Sequence, residues 1–275
     1  MAEETTVVAE DVATKKASEE AVAEHFFASF DFGALQVNLE ELLKAGVHFG
    51  HLKSRRHPKM DQYIYTTRKN INIVDLEKTY EKLHIAGKFL AEVVKSGKPI
   101  LFVGMKKQTQ DTVQSLALRL NESYVIDRWL GGTLTNFSCI NSRAKYLNDT
   151  HDKIEQGAFK QYTKFEQAKK AEEVEKLERK VGGIKNMHQL PGAIVIADVK
   201  DAGLVIYEAR KMNIPLVGIT DTNTDPSFVD YPIPGNDDAL SSLRLLFGYL
   251  GKVILEAKEK VATTKKEVVK TGKTA

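Results

Sequence analysis

The chain has 275 residues, 42% of them hydrophobic and 28% charged, with a formal net charge of +3. That length supports one large domain, or a domain carrying an insertion, and the single cysteine, Cys139, excludes an internal disulfide and suits the cytosol. No apolar run approaches the roughly 18 residues of a membrane span, and the acidic, arginine-free start is neither a secretory signal nor a transit peptide.

The first 34 residues carry eight acids and two lysines. Residues 1–24 lack aromatics and any clear period, which reads as a disordered tail. "EHFFASFDFGAL" then places Phe26, Phe27, Phe30 and Phe32 in a short span, either docking on a neighbour or folding back on its own domain. Asn38 followed by Glu41 resembles a capping box opening a short helix that Gly46 closes.

"AGVHFGHLKSRRHPKM" comes next, with His48, His51 and His57 among cations. Residues 44–69 hold seven basic residues against one acid, Asp61. Such concentration suits a polyanionic partner, although a solvated charged face is the plain alternative. The histidines have no nearby cysteine and no close carboxylate, so hydrogen bonding that orders the loop is the expected role of His48 and His51. A metal held with strand-end acids such as Asp198 and Asp221 is the lesser alternative.

"YIYTT" and "NINIVDL" read as a strand pair, and Asp75 caps a long helix to about Lys95 that ends at Gly97. "PILFVG", "SYVID", "GAIVIAD", "PLVGIT" and "DYPIP" read as further strands. Helices fit "KKQTQDTVQSLALRL", "DAGLVIYEARKM" and "DDALSSLRLLFGYLGKVILEA". Short apolar strands alternating with helices predict an α/β fold, a parallel sheet with helices on both faces. One segment breaks the rhythm. Phe137, Ile140, Ala144, Leu147, His151 and Ile154 form one narrow seam, and Phe165 to Val181 form another. They predict a protruding antiparallel helical hairpin of coiled-coil type, about 137–181.

Gly104-Met105-Lys106-Lys107 precedes a helix N-terminus but lacks the phosphate-loop pattern, so Lys106 and Lys107 are expected to meet an external phosphate backbone. "DRWLGGTLTNF" sets Arg128 beside Trp129 on a glycine-rich turn, suited to RNA phosphate and stacking, or to core anchorage. "GITDTNTDPSFVDYPIPGNDD" lies where open α/β sheets bind ligands, but its acids are scattered and no nucleophile–base pattern accompanies them. The expectation is no catalytic residue and no cofactor.

Long blocks carry a family resemblance: "LLKAGVHFGH", "RRHPKM", "YIYTTRKNINIVDLEKT", "ILFVGMKKQ", "RWLGGTLTNF", "LERKVGGIKNMHQLPGAIVIADV", "EARKMNIPLVGITDTNTDP" and "VDYPIPGNDDA". The chain resembles the bacterial-type ribosomal protein S-two family over residues 39–257. The resemblance implies a flavodoxin-like domain at 35–258 with the inserted coiled coil, and a Lys-rich flexible tail from 259 to 275. It implies a cytoplasmic, structural protein of the small ribosomal subunit that binds rRNA and neighbouring ribosomal proteins, including the mRNA-delivering protein S-one. The expected RNA contacts are Lys53, Arg55, Arg56, Lys59, Arg68, Lys69, Lys106, Lys107, Arg128 and Trp129. The acidic extension at 1–34 departs from short family members, and Arg55 and Arg56 stand where relatives often carry an aromatic.

Overall fold

The computed structural model describes residues 26–27, 30–156 and 162–271. The tail expected at 1–24, residues 157–161 of the expected hairpin and the last four residues lie outside them. Helix α1 (Leu39–Lys44) is capped by Asn38, whose side chain accepts the Glu41 N–H at 2.8 Å. Gly46 then turns the chain at φ 74, a conformation that glycine adopts without a Cβ penalty. β1 (Phe49–Leu52), β2 (Ile64–Arg68) and β3 (Ile71–Val74) form an antiparallel sheet in the order β1-β3-β2. β1 was not expected from the sequence.

Helix α2 (Leu76–Lys95) is capped by Asp75, which accepts from the Glu77 N–H. β4 (Ile100–Val103), α3 (Lys107–Leu120) and β5 (Ser123–Val125) follow, then α4 (Phe137–Glu155) and α5 (Lys164–Val181). The chain closes with β6 (Ala193–Ile196), α6 (Gly203–Lys211), β7 (Leu216–Thr220), β8 (Tyr231–Pro234) and α7 (Leu240–Thr271). The five later strands make a parallel sheet in the order β5-β4-β6-β7-β8. Its central strands are buried at every position, as double-sided cover demands. Alternation divides them. Ile100, Phe102, Val195 and Val217 join one core with α2, α3 and α7, while Leu101, Val103, Ile194 and Ile196 join the other. Each such side chain contributes about 1.5–3 kcal/mol on burial.

Helices α4 and α5 interrupt this alternation. Ile140, Leu147, Val174 and Val181 enter the second core, and cross-contacts run from Tyr146 to Lys170 and from His151 to Glu178. Thr163 and Glu166 form a reciprocal capping box at the start of α5. Farther along, Ile154 and Phe165 are 40% and 77% exposed.

Two boundaries differ from expectation. The folded body does not begin at residue 35. Phe27 and Phe32 are buried in the first core, stacked with ring centroids 5.8 Å apart. They pack where α7 carries Gly248 and Gly251. An added Cβ on Gly251 would lie 2.9 Å from the Phe32 ring, and one on Gly248 would lie 3.5 Å from the Phe27 ring. The aromatic segment thus folds back on its own domain, and the missing Cβ at Gly251 leaves room for the Phe32 ring, whereas a Cβ on Gly248 would be at ordinary contact distance from Phe27. At the other end, helix α7 continues to Thr271, through the span expected to be a flexible tail. Alanine, lysine and glutamate there are good helix formers.

Candidate nucleic-acid interface

Four expected cations converge on the small sheet. β2 turns into β3 through Lys69 and Asn70, with φ values of 49 and 62. This is the geometry of a tight two-residue hairpin, with both turn residues left-handed. Arg68 pairs across with Ile71, and Ile71 with Leu52. The Lys53 N–H donates to the Asn70 carbonyl at 2.8 Å, and Lys53–Arg55 form a single 3-10 turn. Lys53, Arg55, Arg68 and Lys69 are therefore neighbours, all exposed, and none forms an ion pair with another described residue.

Arg56 and Lys59 stand beside this group but are engaged. Arg56 pairs with Asp61 at 2.5 Å. The Lys59 ammonium donates to Asp225 and to Ser227, each at 2.8 Å. Despite partial burial, those donors bring the Asp225 carboxyl down to about 2.

Contacts around His51 and Thr222 help hold the small sheet against the carboxyl edge of the parallel one. The His51 N–H donates to the Thr222 hydroxyl at 2.8 Å, and the His57 N–H to the Thr222 carbonyl at 2.8 Å. The His51 ring lies 3.0 Å from Asp221 and 3.5 Å from Asp238. Gly50 makes the approach possible, since a Cβ there would sit 2.5 Å from the Thr222 methyl. Gly50→Ala is therefore expected to lower stability by about 1–3 kcal/mol. Adding Thr222→Ser removes that methyl but keeps the hydroxyl, which would lie 2.8 Å from the new Cβ, so it should restore part of the loss in urea unfolding. No recovery in the double variant would place the strain elsewhere. His48 donates nothing comparable. Its Nδ1 is buried without a hydrogen-bond partner, its ring lies against Phe49, and burial lowers its pKa.

The same edge corrects two expectations. Lys106 was expected to face phosphate, but its ammonium lies 2.6 Å from Asp238, 3.2 Å from Asp237 and 3.7 Å from Asp198. Although burial works against its charge, those partners raise its pKa. It neutralises acids that follow separate strands, so its charge is already engaged within the protein. Trp129 was expected to stack on RNA. Its ring is 3% exposed and its N–H donates to Glu208, so it anchors the core.

Glu208 is the residue that sequence reading missed. Buried on α6, it accepts the N–H groups of Gly132, Leu134 and Thr135 at 2.7, 3.0 and 3.2 Å, together with the Trp129 indole at 3.1 Å. Burial alone would raise its pKa, but those donors hold it below the usual carboxylate value. One carboxylate thus fixes the whole "WLGGT" turn, with Arg128 exposed beside it. Gln110 ties the Arg128 loop to the Lys107 end of α3, donating to the carbonyls of Met105 and Ile126. Exposed Lys107 and Arg128 follow the neighbouring ends of β4 and β5.

His51, Asp237 and Asp238 bring one ligand atom each within 4.8 Å of the others, the only such three-residue group among the described residues. The Lys106 ammonium already lies on both aspartates. Burial and the neighbouring carboxylates of Asp221 and Asp198 push Asp237 up to about 7, while a hydrogen bond to Asp221 raises His51. Both groups hold protons in the native state that the unfolded chain releases. Stability is therefore expected to fall as pH rises, from the ordinary carboxylate range through about 7, and further as His51 deprotonates. Urea midpoints between about pH 5 and about pH 8 measure the net slope, to which Asp198, also raised by burial, adds and which His48 and His84, lowered by burial, oppose; Asp237→Asn should make the fall less steep. A slope of equal size in that variant would clear Asp237.

Comparison with known proteins follows the same blocks. The model of the family described as "Ribosomal protein S2" matches residues 42–257. The chain belongs to the ribosomal protein S2 family. It is 45% identical over 224 residues to the "Small ribosomal subunit protein uS2" of Roseiflexus sp. (strain RS-1), covering 82% of this chain and 86% of that protein. Identity to the protein of the same name from Roseiflexus castenholzii (strain DSM 13941 / HLO8) is also 45%, over 82% of this chain and 85% of the relative. Ribosomal protein S2 is a structural protein of the ribosome and not an enzyme. No described helix is long and apolar enough to cross a membrane.

Proposed function

We propose that this S2 protein clamps folded rRNA of the small subunit by neutralising phosphates from two basic sites. The main site is Lys53, Arg55, Arg68 and Lys69 on the small sheet; the second is Lys107 with Arg128. The observation that carries this reading is the first cluster: four adjacent, exposed cations with no ion-pair partner among the described residues. Lys69 is held in the left-handed region, a conformation costly for a residue with a Cβ, and such strain gathers at functional positions. Arg56 and Lys59 support the site through their ion pairs. Recognition is of backbone shape, since phosphate contacts fix register without reading bases.

Helices α4 and α5 serve in this reading as an antiparallel coiled-coil arm toward neighbouring small-subunit proteins, including the mRNA-binding protein S-one. Exposed Phe165 and Ile154 support that use. Sedimentation of a cell lysate tests the assignment: the chain should travel with the small subunit and leave it at raised salt. A chain found only among free proteins would overturn it.

A further inference from the structure

Phosphate binding leaves part of the small sheet unexplained. Phe49, Leu52 and Ile71 are 50%, 48% and 37% exposed. Strand pairing puts Leu52, Ile71 and Arg68 in one cross-strand row and Phe49 and Ile73 in the next. The patch is thus apolar at its centre and cationic at its rim. An RNA backbone satisfies the cations but brings no apolar surface to Leu52 or Ile71. A peptide that is both acidic and aliphatic suits both parts.

The chain carries such a peptide. Residues 1–25 hold seven acidic residues against two lysines, a formal charge of −5, interspersed with Val7, Val8, Val12 and Val22. The segment joins the described body at Phe26, whose ring lies 4.2 Å from the Arg244 guanidinium of α7. Ser241, about one helical turn away, donates to the Ala45 carbonyl, and the neighbouring Gly46 sits against the Phe49 ring. The segment therefore departs close to the edge of the patch, and 25 residues reach up to about 80 Å.

We propose that residues 1–25 dock across the outer face of the small sheet in the free protein. Their carboxylates face Lys53, Arg55, Arg68 and Lys69, and their valines cover Leu52 and Ile71. Tethering gives such a segment an effective concentration of order millimolar, so it competes with weakly held polyanions. What displaces it rests on the RNA reading above; the docking itself does not.

Two measurements on the full chain separate these. In the first, carbodiimide joins carboxylates to lysines only at contact distance, and the products of the free protein are mapped by mass spectrometry. Crosslinks from Glu3, Glu4, Glu10 or Asp11 to Lys53 or Lys69 within one chain are expected, and they should vanish at about 0.5 M salt. Crosslinks confined to other lysines, or formed between two copies, overturn the docking. In the second, poly(U) affinity is compared between the native chain and a full-length variant with all seven acids of the segment replaced by their amides. The variant should bind about tenfold more tightly. Equal affinities overturn the competition. Absence of binding by both proteins at low salt overturns the RNA reading and the competition with it, while the crosslinks still decide the docking.

Discussion

Replacing Lys53, Arg55, Arg68 and Lys69 with glutamine should weaken association with the small-subunit particle by at least about a hundredfold near 0.1 M salt. Each phosphate neutralised releases counterions and contributes about 0.9 to the slope of log affinity against log salt on a duplex, so the slope should fall by about 3–4. The folded body should be indifferent to the change, because none of the four side chains forms an ion pair with a described residue. An unchanged urea midpoint together with a reduced slope is the expected pair of results. An unchanged slope would remove the small sheet from the interface. Lys106→Gln supplies the contrast: it leaves Asp198, Asp237 and Asp238 without their shared cation, so it should lower the urea midpoint.

Glu208→Ala should be among the most destabilising single changes in the protein, at about 3–5 kcal/mol. It strips the acceptor from three backbone N–H groups and from the Trp129 indole in a site that is 4% exposed. Glu208→Gln should recover only part of this. The amide keeps one acceptor oxygen and turns a second donor toward N–H groups that are already donors. Urea unfolding measures both variants, and Trp129 fluorescence should report a loosened ring in each. A loss below about 1 kcal/mol for Glu208→Ala would mean that water replaces the carboxylate and that the turn does not depend on it.

Much of the architecture was readable along the chain because local chemistry decides it. Strands β4, β6 and β7 are buried on both faces and so appear as unbroken apolar runs. Asn38, Asp75 and Thr163 cap helices within three residues of themselves. The site was less legible because its contacts join distant positions. β1 is short and half polar, and its place depends on Thr222, 171 residues away from His51. Lys106 has the appearance of an exposed cation in "MKKQ", and nothing nearby announces aspartates arriving from β6 and β8. Glu208 did leave a trace: a charge on the buried stripe of α6, among Val205, Ile206 and Ala209. Such a charge demands donors, and the "GGTLT" turn has backbone N–H groups without other partners.

The packing of Phe27 and Phe32 in one core with α7 has a consequence for synthesis. Phe27 and Phe32 are made about 220 residues ahead of the part of α7 that receives them, roughly ten to forty seconds at ordinary elongation rates. Until then their rings have no cover. A chain truncated before α7 would display them as an adhesive apolar surface, readily recognised by chaperones and proteases. Burial of this aromatic segment therefore waits on synthesis of α7: the two are made far apart in time and share one core.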